Sequence, residues 1–398
     1  MNRREFMTSA AAMAMMTGSA RADETPGVTA SEIKIGQTMP YSGPASAYGG
    51  IGRTELAYFK MINEQGGVNG RKINLISLDD GYSPPKTIEQ VRRLVEQEQV
   101  AFLWQCLGTP NCLAIRQYCN EKEVPQLMCS TGSSALDDPE HFPWTSPANP
   151  IYQNEARIYA RYILKETPNA RIAVLSQNDG FGKDYLKGLK DVLGAEHAGM
   201  IVKEATYETS EPTVDSQVVT LQGSGADVFI IAATPKFAAQ AIRKSYDLGW
   251  SATRIVSNVS ISVTAVLKPA GLDKSKDLIA AQWGKDPSDP RWNDDPGMKA
   301  WGAFADKYVT HAVFFDQFAQ YGYGNAWALI EILKSCGDDL SRANILKQAT
   351  HLNGLESPTL LPGMSLKTKP GSYSAIRQMQ LSRFDGASWQ LFGDLIEA

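Results

Sequence analysis

Two short segments place hydroxyls, amides and glycines where a helix should begin. One is Leu107-Gly108-Thr109-Pro110-Asn111, after the apolar run Val100 to Gln105; the other is Ser130-Thr131-Gly132-Ser133-Ser134, after Val124 to Cys129. The first N–H groups of a helix have no partner within it. With Ser or Thr hydroxyls beside them they can hold a carboxylate, each helix end contributing about 0.3–1 kcal/mol when exposed and up to about 2 kcal/mol when partly buried. Thr109, Asn111, Thr131, Gly132 and Ser133 are therefore candidate anion-binding positions. They serve equally as helix caps, because capping and binding use the same end of the helix.

Other chemistries lack their usual residues. No GxGxxG follows a strand-like run, and GxxxxGK[ST], HExxH and GxSxG are absent from the sequence. Asn178–Lys183, NDGFGK, resembles the end of a phosphate loop without its first glycine. The histidines 141, 197, 311 and 351 are scattered and no CxxC pair occurs, so no metal or cofactor is expected. The cysteines at 106, 112, 119, 129 and 336 are odd in number, which leaves at least one unpaired. A Cys106–Cys129 bridge is one possibility; buried thiols are the favoured one, since a core of this size needs no staple.

The elements that must position these residues read as repeated strand and helix. Ile33 to Met39 suits a buried parallel strand, and Pro40 to Gly50 interrupts it. Ile51, Tyr58 and Ile62, with Phe59 alongside, form an apolar stripe at helical period, which Gly66 and Gly67 should end. Ile73 to Asp79 completes a βαβ unit whose crossover should be right-handed. The loop after its first strand then lies at the carboxyl edge of the sheet, where ligands of open α/β folds bind. Alternation continues to Cys129, and after the Pro-rich segment His141 to Pro150 it restarts. Arg171–Gln177, Met200–Tyr207, Asp227–Ala232, Arg254–Ser257 and Leu278–Trp283 read as strands with helices between. Gly284 to Pro296 reads as a return crossing, Met298 to Cys336 as mostly helical, and Met364 to Phe392 as paired strands around Lys369-Pro370-Gly371 and Asp385-Gly386. The fold class is α/β, with two doubly wound, Rossmann-like halves.

The N-terminus reads as an export signal. Arg3 and Arg4 precede a mildly apolar run from Met7 to Ala20, and Ala20-Arg21-Ala22 fits a cleavage site, so residues 1–22 are expected to direct twin-arginine export. No Cys follows that site, which argues against a lipid anchor, and no later run approaches the roughly 20 apolar residues of a membrane span. Cleavage would leave 376 residues, right for two lobes, and take the net charge from −4 to −6. That acidity argues against nucleic acid. The expected product is soluble and periplasmic.

SGPASAYG (Ser42–Gly49), GGVNGRKI (Gly66–Ile73), YDLGW (Tyr246–Trp250) and DGFGKDY (Asp179–Tyr185) occur in an order and spacing that resemble type I periplasmic solute-binding proteins of the branched-chain amino acid (Leu/Ile/Val-binding) ABC transporter family. The resemblance covers nearly all of Ser31 to Leu395. It implies a Venus-flytrap of two lobes that close on a small ligand and deliver it to a membrane permease, in a monomer and without catalysis. Crossovers would fall near Ser146–Pro150, Gln282–Asp286 and Leu355–Thr359, dividing the chain into an N-terminal lobe of 31–148 plus 285–357 and a C-terminal lobe of 149–284 plus 358–398.

By that similarity Tyr48 matches the family's loop tyrosine and Phe181 an aromatic at the turn of the second lobe, while Thr234, Phe237 and Asn258 would face the cleft. Phe181 could instead anchor the core beneath its turn, and Trp104 could line the cleft or end a buried strand. Lys183 and Asp184 read as solvated turn charges. Where amino-acid binders of the family place a glutamate for the ligand ammonium, the alignment puts Asn258, and no acidic residue lies between Leu248 and Ala270. A buried ammonium facing a neutral amide would be penalised by about several kcal/mol, unless Asp179 supplied the charge. The expected ligand is therefore an organic acid without an amine, an aromatic carboxylate above all, since GTPN, VPQLMCSTG and QNDGFGKDY also resemble a branch of the family associated with aromatic acids. An amino acid or amide carrier of the same family is the alternative. An exported α/β enzyme, which would turn its solute over, and a ligand-sensing regulator are the readings from other classes.

Overall fold

The computed structural model describes residues 25–397; the signal expected at 1–22 lies outside them. The chain runs β1 (Glu32–Met39), α1 (Gly49–Glu64), β2 (Lys72–Asp79), α2 (Pro84–Arg92), β3 (Phe102–Trp104), α3 (Thr109–Glu121), β4 (Gln126–Cys129) and β5 (Thr145–Pro147) through the first half. It continues as α4 (Tyr152–Glu166), β6 (Ile172–Gln177), α5 (Gly180–Leu193), β7 (Ile201–Tyr207), α6 (Asp215–Gln222), β8 (Val228–Ala232), α7 (Pro235–Asp247), β9 (Thr253–Val256), the single turn α8 (Lys268–Ala270) and β10 (Ile279–Gln282). Then follow α9 (Pro296–Tyr308), α10 (Gln317–Cys336), α11 (Arg342–Thr350), β11 (Asn353–Leu355), β12 (Leu366–Lys367), β13 (Gln378–Phe384) and β14 (Trp389–Glu397). Gly66 and Gly67 lie at φ +104° and +76° after α1, so a left-handed pair of glycines does end that helix.

The first sheet is parallel in the order β2-β1-β3-β4-β5. The second repeats that winding as β7-β6-β8-β9-β10, then adds β13 and β14 antiparallel around the Asp385-Gly386 turn. Each half therefore has a switch point, between β1 and β3 and between β6 and β8, where the loops beyond the strand ends diverge and leave a crevice. Tyr58, Trp301, Phe304 and Tyr323 join α1, α9 and α10 against the first sheet, with α2 and α3 on its other face. In the second half α4 and α5 cover one face, while α6 and α7 cover the other in an apolar cluster that continues into the first half through Tyr48, Ile51, Tyr82 and Phe318.

The passages between the halves lie side by side. Chain segments 283–285 and 359–361 run antiparallel, with Lys285 N donating to Thr359 O at 2.9 Å and Leu361 N to Trp283 O at 3.0 Å. Residues beyond 358, expected in the second lobe, do not all belong there: Leu360, Leu361, Met364, Leu366, Ala375 and Ile376 pack into the core of the first sheet. Asp137 also holds this stretch, taking the Ser374 N–H at 3.1 Å. The chain enters the second sheet only at β13, because these side chains find their apolar partners on α11 and the first lobe. For the same reason Leu366–Lys367 pairs with β11, and the Lys369-Pro370-Gly371 segment makes only a tight turn.

All five cysteines are buried free thiols. Trp104 is core, with Nε1 donating to Glu55 Oε1 at 3.2 Å. No helix among the described residues is long and apolar enough to cross a membrane.

Candidate functional site

The loops at the two switch points face each other across a partly open cavity of about 110 Å³. That space exceeds several-fold the roughly 10–15 Å³ needed by one water, so there is room for a small solute. From β1 and α1 come Tyr48 and Ile51; from the loops after β2, β3 and β4 come Tyr82, Leu107, Gly108, Thr109 and Ser130. The second half contributes Tyr152 at the start of α4, Phe181 at the start of α5, Thr234 before α7, and Asn258, Val259 and Ile261 after β9. Gln282 to Lys285 and Thr359 form the hinge side, and the first turns of α10 add Gln317, Phe318, Gln320 and Tyr321.

Five of the ten positions marked in the sequence thus line the cavity: Tyr48, Thr109, Phe181, Thr234 and Asn258. The other five do not. Thr131 stands behind Thr109, hydroxyl to hydroxyl at 2.7 Å, and its Oγ1 accepts the Ser133 N–H at 3.2 Å. Thr131 and Ser133 thereby shape the loop from beneath. Asn111 is drawn away by Asp80, which accepts its Nδ2 at 2.9 Å. Gly132 packs against the first passage between halves: its carbonyl takes the Tyr152 N–H at 2.8 Å, and a Cβ there would collide with Pro150 O. Phe237 is fully buried and packs at a tilt against Tyr207 at 4.3 Å, while Tyr207 OH receives the Thr234 N–H at 2.9 Å.

Phe181 combines both roles weighed for it, lining the cavity while packing edge-on to Tyr152 at 4.9 Å and Tyr185 at 5.3 Å. Asp179 does not face the cavity; its Oδ1 caps α5 by accepting Phe181 N at 2.9 Å, and its Oδ2 takes Gln177 Nε2 at 2.7 Å. Asp184 is a correction. Rather than a solvated turn charge, it is buried at 8 % exposure and accepts Ser134 N at 2.8 Å and Ser134 Oγ at 2.7 Å from the opposite half. Gln153 Nε2 adds a third donor at 2.8 Å. Further bonds across the cleft run from Tyr48 OH to Val259 O at 3.0 Å and from Gln177 Nε2 to Tyr82 OH at 3.3 Å.

Electrostatically the cavity is close to neutral. Burial pushes the phenols of Tyr48 and Tyr82 well above their ordinary range, helped next by neighbouring tyrosines at Tyr48 and by the Asp179 carboxylate at Tyr82, so they stay protonated. Among the described lining residues the one formal charge is Lys285, whose Nζ is held by Asp295 at 2.8 Å and Pro358 O at 3.0 Å. No carboxylate among the described residues lines the cavity. Glu155, on α4, lies directly behind Asn258, whose backbone N–H it accepts at 2.8 Å.

Sequence reading missed the lining residues of α10, the hinge, Tyr82 and Tyr152. One signal for α10 was present: Gln317, Gln320, Tyr321 and Gly324 recur at helical spacing, and Gly322 and Gly324 approach Ile51 and Thr359 too closely for side chains. Tyr82 and Tyr152 each follow a strand or passage as the first aromatic, which is where a cleft-facing ring would stand.

Comparison with known proteins agrees with this architecture. The profile of a family described as periplasmic binding protein matches residues 32–387. Among curated relatives, a Leu/Ile/Val-binding protein homolog 1 of Brucella abortus is 24% identical over 313 residues, 77% of this chain and 80% of its own length. An amino acid binding protein of Pseudomonas aeruginosa is 22% identical over 272 residues, 64% of this chain and 68% of that one. Of solved structures, a branched-chain amino acid ABC transporter protein of Thermus thermophilus with bound valine superposes with TM-score 0.83 at 14% identity, covering 93% of this chain and 98% of that one. A fatty acid ABC transporter substrate-binding protein of Thermomonospora curvata superposes at 0.77 and 21% identity, covering 94% of each. These two likenesses establish the fold.

Proposed function

The chain belongs to the periplasmic binding protein family, and from that premise we propose that the solute it carries to an ABC-importer permease is an organic acid without an amine, best an aromatic carboxylate. The protein is a solute-binding receptor of the ABC transport type in the branched-chain amino acid family, not an enzyme, and that family is periplasmic. The observation that carries the ligand reading is the cavity's lining: rings of Tyr48, Tyr82, Tyr152, Phe181, Phe318 and Tyr321, with no carboxylate among the described lining residues. An ammonium would meet Asn258 in place of a carboxylate and incur a penalty of about several kcal/mol. A planar ring finds edge and face partners worth about 0.5–1.5 kcal/mol each beyond area burial. Thr109, at the first turn of α3, is the proposed anchor for the acid group, helped by that helix's unpartnered N–H groups. Tyr48, Phe181, Thr234 and Asn258 complete the proposed contacts, in a receptor expected to act as a monomer.

A branched-chain amino acid is the second reading. The curated relatives' names favour it, and Glu155 would serve the ammonium if Asn258 turned aside. A thermal-shift screen and mass spectrometry of solute retained by freshly purified protein separate the two. Benzoate-type acids should raise the midpoint while leucine and valine leave it unchanged; the converse result overturns the proposal.

A further inference from the structure

Glu155 is a fully buried carboxyl in the first turn of α4, one layer behind the cavity wall. Its Oε1 accepts the Asn258 backbone N–H at 2.8 Å and the Tyr159 hydroxyl at 2.6 Å, and its Oε2 contacts Asn258 Nδ2. Asn258 lines the cavity, and its Oδ1 has no partner among the described residues. A side-chain amide has a donor end and an acceptor end, and an ionised carboxylate only accepts. A carboxylate behind Asn258 therefore dictates which end looks forward.

We propose that Glu155 is a positioning residue of the solute site: by taking the backbone N–H and an Nδ2 hydrogen of Asn258 it turns Oδ1 into the cavity, so the cleft selects solutes that bring an uncharged hydrogen-bond donor, a hydroxyl or amide N–H, to that end. The proposal rests on the organic-acid reading only for the rest of the solute. A group with no proton to give would leave Oδ1 buried and unpaired, whereas a donor satisfies it without the desolvation of a full charge.

The arrangement also makes the preference depend on pH. The titratable groups that face the carboxyl are phenols, Tyr159 on its own helix and Tyr185 on α5, the latter also bonded to Ser257 Oγ at 2.7 Å beside β9. Neither is a cation that would hold the carboxyl ionised. Burial, set against those hydrogen bonds, pushes it up to about 7. Once protonated on Oε2 it donates, Asn258 turns over, and the cavity then sees an N–H₂ group.

Side-chain amide spectra of the full mature protein labelled with ¹⁵N at asparagine test this, the Asn258 signal being assigned by its loss in Asn258→Asp. The Asn258 amide protons should shift with a midpoint near neutral pH, and the shift should vanish in Glu155→Gln and return in Glu155→Asp. A flat profile in the wild type, or one unchanged in Glu155→Gln, overturns the proposal whether or not any aromatic acid binds. Calorimetry above pH 8 with 4-hydroxybenzoate and 4-methoxybenzoate tests the selectivity: the hydroxyl compound should bind at least about tenfold tighter, and Glu155→Gln should erase most of that ratio. Equal affinities in the wild type overturn it. Failure of both acids to bind refutes the aromatic-acid reading alone, and the spectra still decide the role of Glu155.

Discussion

At the scale of single residues, two buried groups give measurable signatures. Phe181 is 2 % exposed, with its ring between cavity and Tyr185, so Phe181→Ala removes both a ligand face and core packing. We expect unfolding to stay cooperative at a cost of about 3 kcal/mol, with aromatic-acid affinity reduced at least about tenfold by calorimetry. Normal affinity in that variant would show that the ring does not touch the solute. Glu55 on α1 is fully buried beside Gln37 and Trp104, and burial outweighs those hydrogen bonds to push it up to about 8. Folding therefore favours its protonated form: that contribution is complete below about pH 4.5 and is lost as pH rises through about 8, at about 1.4 kcal/mol per pH unit. In Glu55→Gln the group is neutral at every pH. The wild-type melting temperature should therefore fall between pH 5 and 8.5 more steeply than the variant's, and parallel profiles would refute the assignment.

At the scale of elements, the start of α5 and the loop after β4 hold the halves together. Asp184 receives three donors, two of them from Ser134 across the cleft. Bonds to a charged group are worth about 1.5–3 kcal/mol each, so Asp184→Ala should open the apo protein in small-angle scattering and speed solute dissociation at least about tenfold. An unchanged dissociation rate would assign closure to the apolar contacts alone. Gly132 touches the first passage so closely that Gly132→Ala forces Pro150 or Tyr152 to move. That overpacking should cost about 1–3 kcal/mol in denaturant unfolding. The legible part of this region was the loop after β4; the helix start expected at STGSS is only a single 3-10 turn, Ser134–Leu136, without a side-chain cap. Thr131 turns inward because the Thr109 hydroxyl and the Ser133 N–H satisfy it, and those partners sit 22 residues away or on the loop's inner side.

For the whole molecule, the proposed solute binding would be coupled to closure of the two halves. The apolar cluster of α6 and α7 runs unbroken into Tyr48, Tyr82 and Phe318 of the first half, so opening the cleft would expose that surface. A solute that binds only the closed form at about 100 times its Kd should stabilise the protein by about 2.7 kcal/mol and compact it in solution scattering. Stabilisation without compaction would place the solute outside the cleft.

Period and punctuation in the sequence determined the elements: alternating apolar runs, glycine turns after α1 and the Pro-rich interruption before α4 are local signals, and each survives in the structure. They also placed Thr109, Thr234 and Asn258 at strand ends, because a doubly wound sheet sends those ends to its crevice, while Tyr48 and Phe181 were named by the family resemblance. Tertiary structure alone decided which polar side chains face the solute and which are consumed by neighbours. Asn111 is taken by Asp80, Asp184 by Ser134, and Asn258 is aimed by a glutamate 103 residues earlier in the chain. A hydrogen-bonding group shows its type in the sequence, but the direction it points is set by whichever partner the fold brings within 3 Å, and nothing local encodes that partner.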